Sequence, residues 1–165
     1  MSKKRVRKAK GFMFIKNPKI AIISAIALIA TALIGSSFTA IGSWYESVKP
    51  AITPPNFIFP IAWTTLFILI AFAMYFSLSS SSGKIKRNLA ILFAANLILN
   101  VLWSLFFFKM QNPLLAFADL ILLWLSILIL IKTSWKISKL ASGLLLPYAL
   151  WVTFAGLLNY LIAFS

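Results

Sequence analysis

Cysteine and histidine are both absent from this 165-residue chain, and only two residues, Glu46 and Asp119, are acidic. The missing thiols and imidazoles exclude disulfides, zinc sites, Ser-His and Cys-His catalysis, and the commonest axial ligands of haem. With two carboxylates against 16 Lys and Arg, acid-base chemistry by paired carboxylates has little to work with, and no basic residue falls inside the apolar runs to partner Asp119 in a proton relay. Charge as a whole is scarce at 11%, while 62% of residues are apolar and 15% aromatic, with a mean hydropathy of +0.98. No soluble domain has this composition.

Five uncharged runs, at 20–41, 57–78, 89–108, 114–131 and 140–164, each approach the roughly 20 residues that cross a hydrocarbon core. None alternates in polarity as the roughly 10-residue strand of a membrane barrel does. The expected fold is an all-α integral membrane bundle of five transmembrane helices over 20–165, preceded by a basic arm at 1–19. The first run follows basic residues, as a secretory signal would, but it is longer than the roughly 7 to 15 residues of such a core. It is therefore expected to remain as a true first helix.

The charge distribution sets an expected topology. The arm carries Lys3, Lys4, Arg5, Arg7, Lys8, Lys10, Lys16 and Lys19, and the basic residues Lys84, Lys86, Arg87, Lys132, Lys136 and Lys139 fall on the same side after five crossings. Only Lys49 and Lys109 lie opposite. This asymmetry places the N-terminus in the cytoplasm and the C-terminus outside, and lets the arm touch anionic membrane lipid. No nucleic-acid partner is expected, because the basic residues are not interleaved with stacking aromatics.

Between the first two runs lies WYESVKPAITPPN, with prolines at 50, 54 and 55 and Trp44-Tyr45 at its start. A plain connector needs less; this one reads as the lid of a pocket, with Asn56 expected to cap the helix that follows. Short turns at 79–83 and 111–113 make sequential helices expected neighbours, and Pro147 is expected to kink the fifth helix. No internal repeat of the kind that builds many transporters is visible.

At about 100° per residue, Asn96, Asn100, Trp103 and Phe107 share one stripe, as do Phe59, Trp63, Phe67 and Ile70, and Tyr148, Trp151, Ala155, Leu158 and Asn159. Polar groups at membrane depth turn toward protein or a cavity, so these stripes face inward. The amides serve either as glue between helices or as ligand contacts. Asp119 is open in the same way between structural anchoring and ligand or proton work. Trp44 and Trp135 at run ends also suit an interfacial belt, whereas Trp63, Trp103 and Trp151 lie deeper and suit a flat apolar ligand.

Together WYESVKPAITPPNFIFPIAWTTLF (44–67), NLILNVLWSLFFF (96–108), LLAFADLILLW (114–124) and LPYALWVTFAGLLNY (146–160) resemble the TspO/MBR family of tryptophan-rich sensory and translocator proteins. The resemblance implies a five-helix protein of a prokaryotic cell membrane, often a homodimer, that binds porphyrins, haem-like tetrapyrroles, sterols or benzodiazepine-type ligands beneath the first loop. Carried over by position, the ligand-binding residues would be Trp44, Tyr45, Trp63, Phe67, Asn96, Asn100, Trp103, Asp119, Trp151 and Ala155. It implies no required cofactor and no metal site. A tetrapyrrole-binding receptor or regulator is the first expectation. The second is light- and oxygen-dependent porphyrin breakdown, with Trp63 and Trp151 as reactive groups. Transport of porphyrins or sterols is the third. One departure stands out: the C-terminal cholesterol pattern of the family's animal members needs a basic residue after its tyrosine, and Tyr160 is followed by Leu-Ile-Ala-Phe-Ser. A small-x-x-x-small pair, Ala90 and Ala94, offers a dimer face of a kind common in apolar helices.

Overall fold

In the computed structural model, which describes residues 17–165, helices account for almost the whole chain and no strand occurs among the described residues. The helices are α1 (Pro18–Phe38), α2 (Ser43–Val48), α3 (Ile58–Ser79), α4 (Gly83–Ser104), α5 (Pro113–Trp135) and α6 (Lys139–Ala163). All but α2 are long and apolar enough to cross a membrane. Most of the basic arm lies outside the described residues. Its expected end at 19 moves, because Pro18 already opens α1, where its missing N–H costs nothing.

The helix starts follow local chemistry. Asn112 accepts a hydrogen bond from the Leu115 N–H at 3.0 Å, and Ser138 one from Ala141 at 3.2 Å, capping α5 and α6. Asn56 does not cap α3 as expected. Its side chain donates instead to Glu46 at 2.9 Å, because the loop brings the only exposed carboxylate of the described residues within reach. Pro147 lies inside α6, which continues through it as one helix.

Around the bundle, α1 packs on both α3 and α4, α4 on α5, α5 on α6, and α6 back on α3. Sequential neighbours are thus found for α4–α5 and α5–α6, but α3 and α4 touch much less despite their short turn, because α1 is inserted between them. At the α5–α6 seam, a Cβ on Gly156 would stand 3.0 Å from Leu120 Cδ2, so glycine sets the closest approach there.

Packing divides the bundle along its axis. One half is a largely aliphatic core that includes Ile70, Leu89, Ile127, Leu130 and Leu145, all fully buried, with Phe93 among them. Nearer the α2 end, a second cluster of Tyr45, Phe107, Ala116 and Ile162 takes over, edged by Trp44, Trp103 and Phe108. The outward faces, such as Ile22, Ile26, Ile29 and Leu33 of α1, are exposed and apolar, as a hydrocarbon surround requires. Among the described residues, Lys19, Lys84, Lys86, Arg87, Lys132, Lys136 and Lys139 stand at the end away from α2, and only Lys49 and Lys109 beside it.

Candidate functional site

The lid expected from the prolines and the Trp44-Tyr45 pair contains a short helix. On α2, Tyr45 is buried and Trp44 half-buried, while Glu46 and Ser47 face outward. Glu46 pairs with Lys49 and accepts from Asn56. These hydrogen bonds hold its carboxyl below the usual carboxylate range, so α2 is latched to the descending limb of the loop. That limb turns back through a Thr53 N–H to Pro50 carbonyl bond of 3.0 Å.

Beneath α2 the last turn of the fourth element is not α-helical. Residues Leu105–Lys109 form a π-helical turn, closed by the Met110 N–H to the Leu105 carbonyl at 2.9 Å. A bond spanning five residues brings positions five apart onto one face. Phe108 therefore sits over the same ring as Phe107: their centroids lie 5.8 and 5.3 Å from that of Trp103, and 5.7 and 6.4 Å from that of Tyr45. Trp44 meets Phe107 edge-on at 5.6 Å.

These rings surround a small cavity of about 30 Å³, lined by Tyr45, Thr53, Phe59, Trp103, Phe107 and Phe108, with Ala155 and Asn159 from α6. It has room for about one water molecule. Two polar groups face it on different terms. Asn159 is fully engaged, accepting from Trp103 Nε1 at 3.0 Å and donating to the Pro113 carbonyl at 2.8 Å. The Thr53 hydroxyl is buried with no partner. Burial, and secondarily the charge of Glu46, raise the Tyr45 phenol above its ordinary pKa.

Of the residues expected in the site, Tyr45, Trp103 and Ala155 line this cavity and Trp44 packs on its wall. The others do not line it. Trp63 lies against Phe67 at 5.6 Å and Tyr148 at 6.4 Å, and Trp151 meets Phe59, a cavity residue, at 5.9 Å. Asn96 donates to Ser126 at 2.8 Å and accepts from Tyr148, whose hydroxyl in turn accepts from Asn100 at 3.2 Å. Both amides are therefore spent between helices. Asp119 is buried on α5, outside the cavity lining, with Oδ2 unpartnered; Trp151 Nε1 is likewise buried without a partner. No cluster of metal-ligating side chains occurs among the described residues.

Three lining residues were not expected, Thr53, Phe108 and Ile162, and sequence reasoning had no means to find the first two. The loop fold delivers Thr53, and the π turn re-aims Phe108. Ile162 lies on the same helical face as Asn159 and Ala155, three and seven positions earlier, and that spacing was a usable signal.

The TspO/MBR family model matches residues 12–164. A tryptophan-rich protein TspO of Chlorobaculum tepidum is 42% identical over 138 residues, covering 81% of this chain and 87% of the relative. Its namesake in Archaeoglobus fulgidus is 41% identical over 144 residues, covering 86% and 93%. The translocator protein of Ovis aries is 33% identical over 121 residues, covering 71% of each.

Proposed function

This chain belongs to the TspO/MBR family, and on that premise we propose that it is a membrane receptor or regulator for metal-free porphyrins and similar flat hydrophobic ligands, bound under α2. The observation that carries the reading is the ring-walled cavity, in which five aromatic side chains converge around one unpartnered hydroxyl. Each ring stacked on a macrocycle contributes about 0.5–1.5 kcal/mol beyond area burial, and Thr53 offers its hydroxyl to a polar edge. A macrocycle needs far more than the present 30 Å³, so binding requires α2 to move outward on its proline-bounded loop. The absence of Cys and His removes the commonest axial ligands and favours holding the ring by stacking.

The test is a titration of detergent-solubilised protein with protoporphyrin in the dark, followed by tryptophan quenching. Saturable quenching, weakened by Tyr45→Ala and by Thr53→Val, is expected. Unchanged fluorescence, or equal affinity in both variants, refutes the assignment. A second reading, photochemical porphyrin breakdown with dioxygen as oxidant, is favoured by the unpartnered indole of Trp151 beside Phe59. Illumination of the bound complex decides it: porphyrin absorbance that persists in light rules breakdown out.

The protein functions in this reading in a prokaryotic cell membrane, with the basic end cytoplasmic and α2 outside. Because the chain has no cysteine, single reporters at exposed Ser47 and Ser80 read the topology directly. In sealed cells a membrane-impermeant maleimide should label Ser47→Cys and spare Ser80→Cys; the reverse pattern inverts the assignment. A homodimer is part of the same proposal. Ala94 of the small-residue pair is exposed and Ala90 half-buried.

A further inference from the structure

Away from the loop cavity, on the lipid-facing seam between α1 and α3, runs a groove that shares no residue with it. Its larger section, about 500 Å³, lies toward the basic end and is lined by Ser24, Phe72, Tyr75 and Phe76 with small alanines between. A contiguous section of about 340 Å³ shares Ala25, Ile68 and Ala71 and continues to Ala32 and Phe67. From Ala21 to Ala32 along α1 the groove is about 16 Å long at 1.5 Å per residue. That shape suits a linear chain.

The two ends differ chemically. At the basic end, Phe72 stacks on Phe76 at 6.3 Å, and Tyr75 meets Phe76 edge-on at 5.2 Å. Between the helices there, Ser24 is 1% exposed and its hydroxyl has no hydrogen-bond partner. A serine in a helix ordinarily donates to a carbonyl three or four residues back, as Thr31 does to Ala27 at 2.9 Å. Ser24 is an exception inside a ligand-sized groove. Toward the far end the lining turns largely aliphatic. No charged side chain lines either section, which excludes a phospholipid headgroup seated in the groove. At six residues from Pro18, Ser24 lies about 9 Å along the helix from its start, deeper than the few ångströms of interface on each side of the hydrocarbon core.

We propose that this seam binds a prenyl quinone: a neutral, flat, carbonyl-bearing ring packed among Phe72, Tyr75 and Phe76, its carbonyl accepting from the Ser24 hydroxyl, and its isoprenoid tail laid along Ala25, Ala71 and Ala32. Such a head supplies the one acceptor the hydroxyl lacks and can sit at that depth without carrying charge into hydrocarbon. The site is separate from the porphyrin cavity and does not depend on it.

The probe is menaquinone-4, titrated into the full chain in detergent and followed by equilibrium dialysis and by protection against thermal unfolding. Saturable binding is expected, weakened about three- to tenfold in Ser24→Ala, the range for one lost hydrogen bond. Ala25→Phe, which fills the groove from its lipid side, should abolish it. Both variants should keep the protoporphyrin affinity of the parent, so failure here is distinguishable from failure of the loop-cavity reading. Three outcomes overturn the proposal: menaquinone affinity unaltered in both variants, displacement of menaquinone by protoporphyrin in direct competition, or equal binding of an isoprenoid hydrocarbon that has no carbonyl. The last would leave only a greasy seam.

Discussion

Asn159 is the side chain whose loss should cost most at the ligand end of the bundle, and the structure fixes how the cost divides. It is 1% exposed and holds two partners, the Trp103 indole N–H at 3.0 Å and the Pro113 carbonyl at 2.8 Å. One residue thereby ties α4, α5 and α6 together under the cavity. In Asn159→Leu the Pro113 carbonyl loses little, since as the first residue of α5 it can still accept the intrahelical bond. The indole has one donor, and Asn159 is its acceptor. A buried donor stranded in this way costs about 1–3 kcal/mol in water-soluble proteins, and polar contacts between membrane helices average about 0.6 and reach about 1.7 kcal/mol. The expected loss is about 1–2 kcal/mol. It should be measured by reversible unfolding in mixed detergent micelles, as a double-mutant cycle with Trp103→Phe. Once the indole N–H is gone, Asn159→Leu should cost much less, giving a coupling of about 1 kcal/mol by the same ranges. Additive costs, or a single-mutant loss under about 0.3 kcal/mol, would refute the claim that the Trp103 bond organises this end.

Two further outcomes follow from the same geometry. Protonating Glu46 should loosen the α2 latch: its carboxyl pKa is lowered in the folded protein by Lys49 and then by Asn56, so the latch is fully present above the ordinary glutamate value of 4.5 and is lost as pH falls through the depressed one. Stopped-flow release of bound porphyrin should accelerate on that acid limb in the parent, while Glu46→Gln releases quickly at every pH; matching pH profiles would remove the latch from the account. At the α5–α6 seam, Gly156→Val must push Leu120 aside, and an overpacked core site costs about 1–3 kcal/mol, readable in the same micellar unfolding assay. Parent-like stability there would mean the seam is looser than the 3.0 Å approach implies.

Legibility was uneven for identifiable reasons. The spans were plain because hydrocarbon demands long uncharged stretches, and the helix bounds fall within a few residues of the runs. The inward stripes were also legible, since helical periodicity places Asn96, Asn100 and Tyr148 on buried faces. What a stripe cannot state is which inward group meets which. Asn96 and Asn100 might equally have met a ligand or a neighbouring helix, and they meet Tyr148 and Ser126. Asn56 was read as a helix cap, yet a partner ten residues away took its amide.

The sequence alone determined that this chain lives in a membrane, how many times it crosses, and which family it belongs to, because those properties rest on composition, run length and local motif. Tertiary structure decided the site. The α2 helix within a proline loop, the π turn that swings Phe108 over Trp103, and the insertion of α1 between α3 and α4 depend on packing between segments far apart in the chain. Such packing selects among arrangements that local periodicity leaves equal. It also opened the α1–α3 seam around Ser24, which no local pattern in the sequence announces.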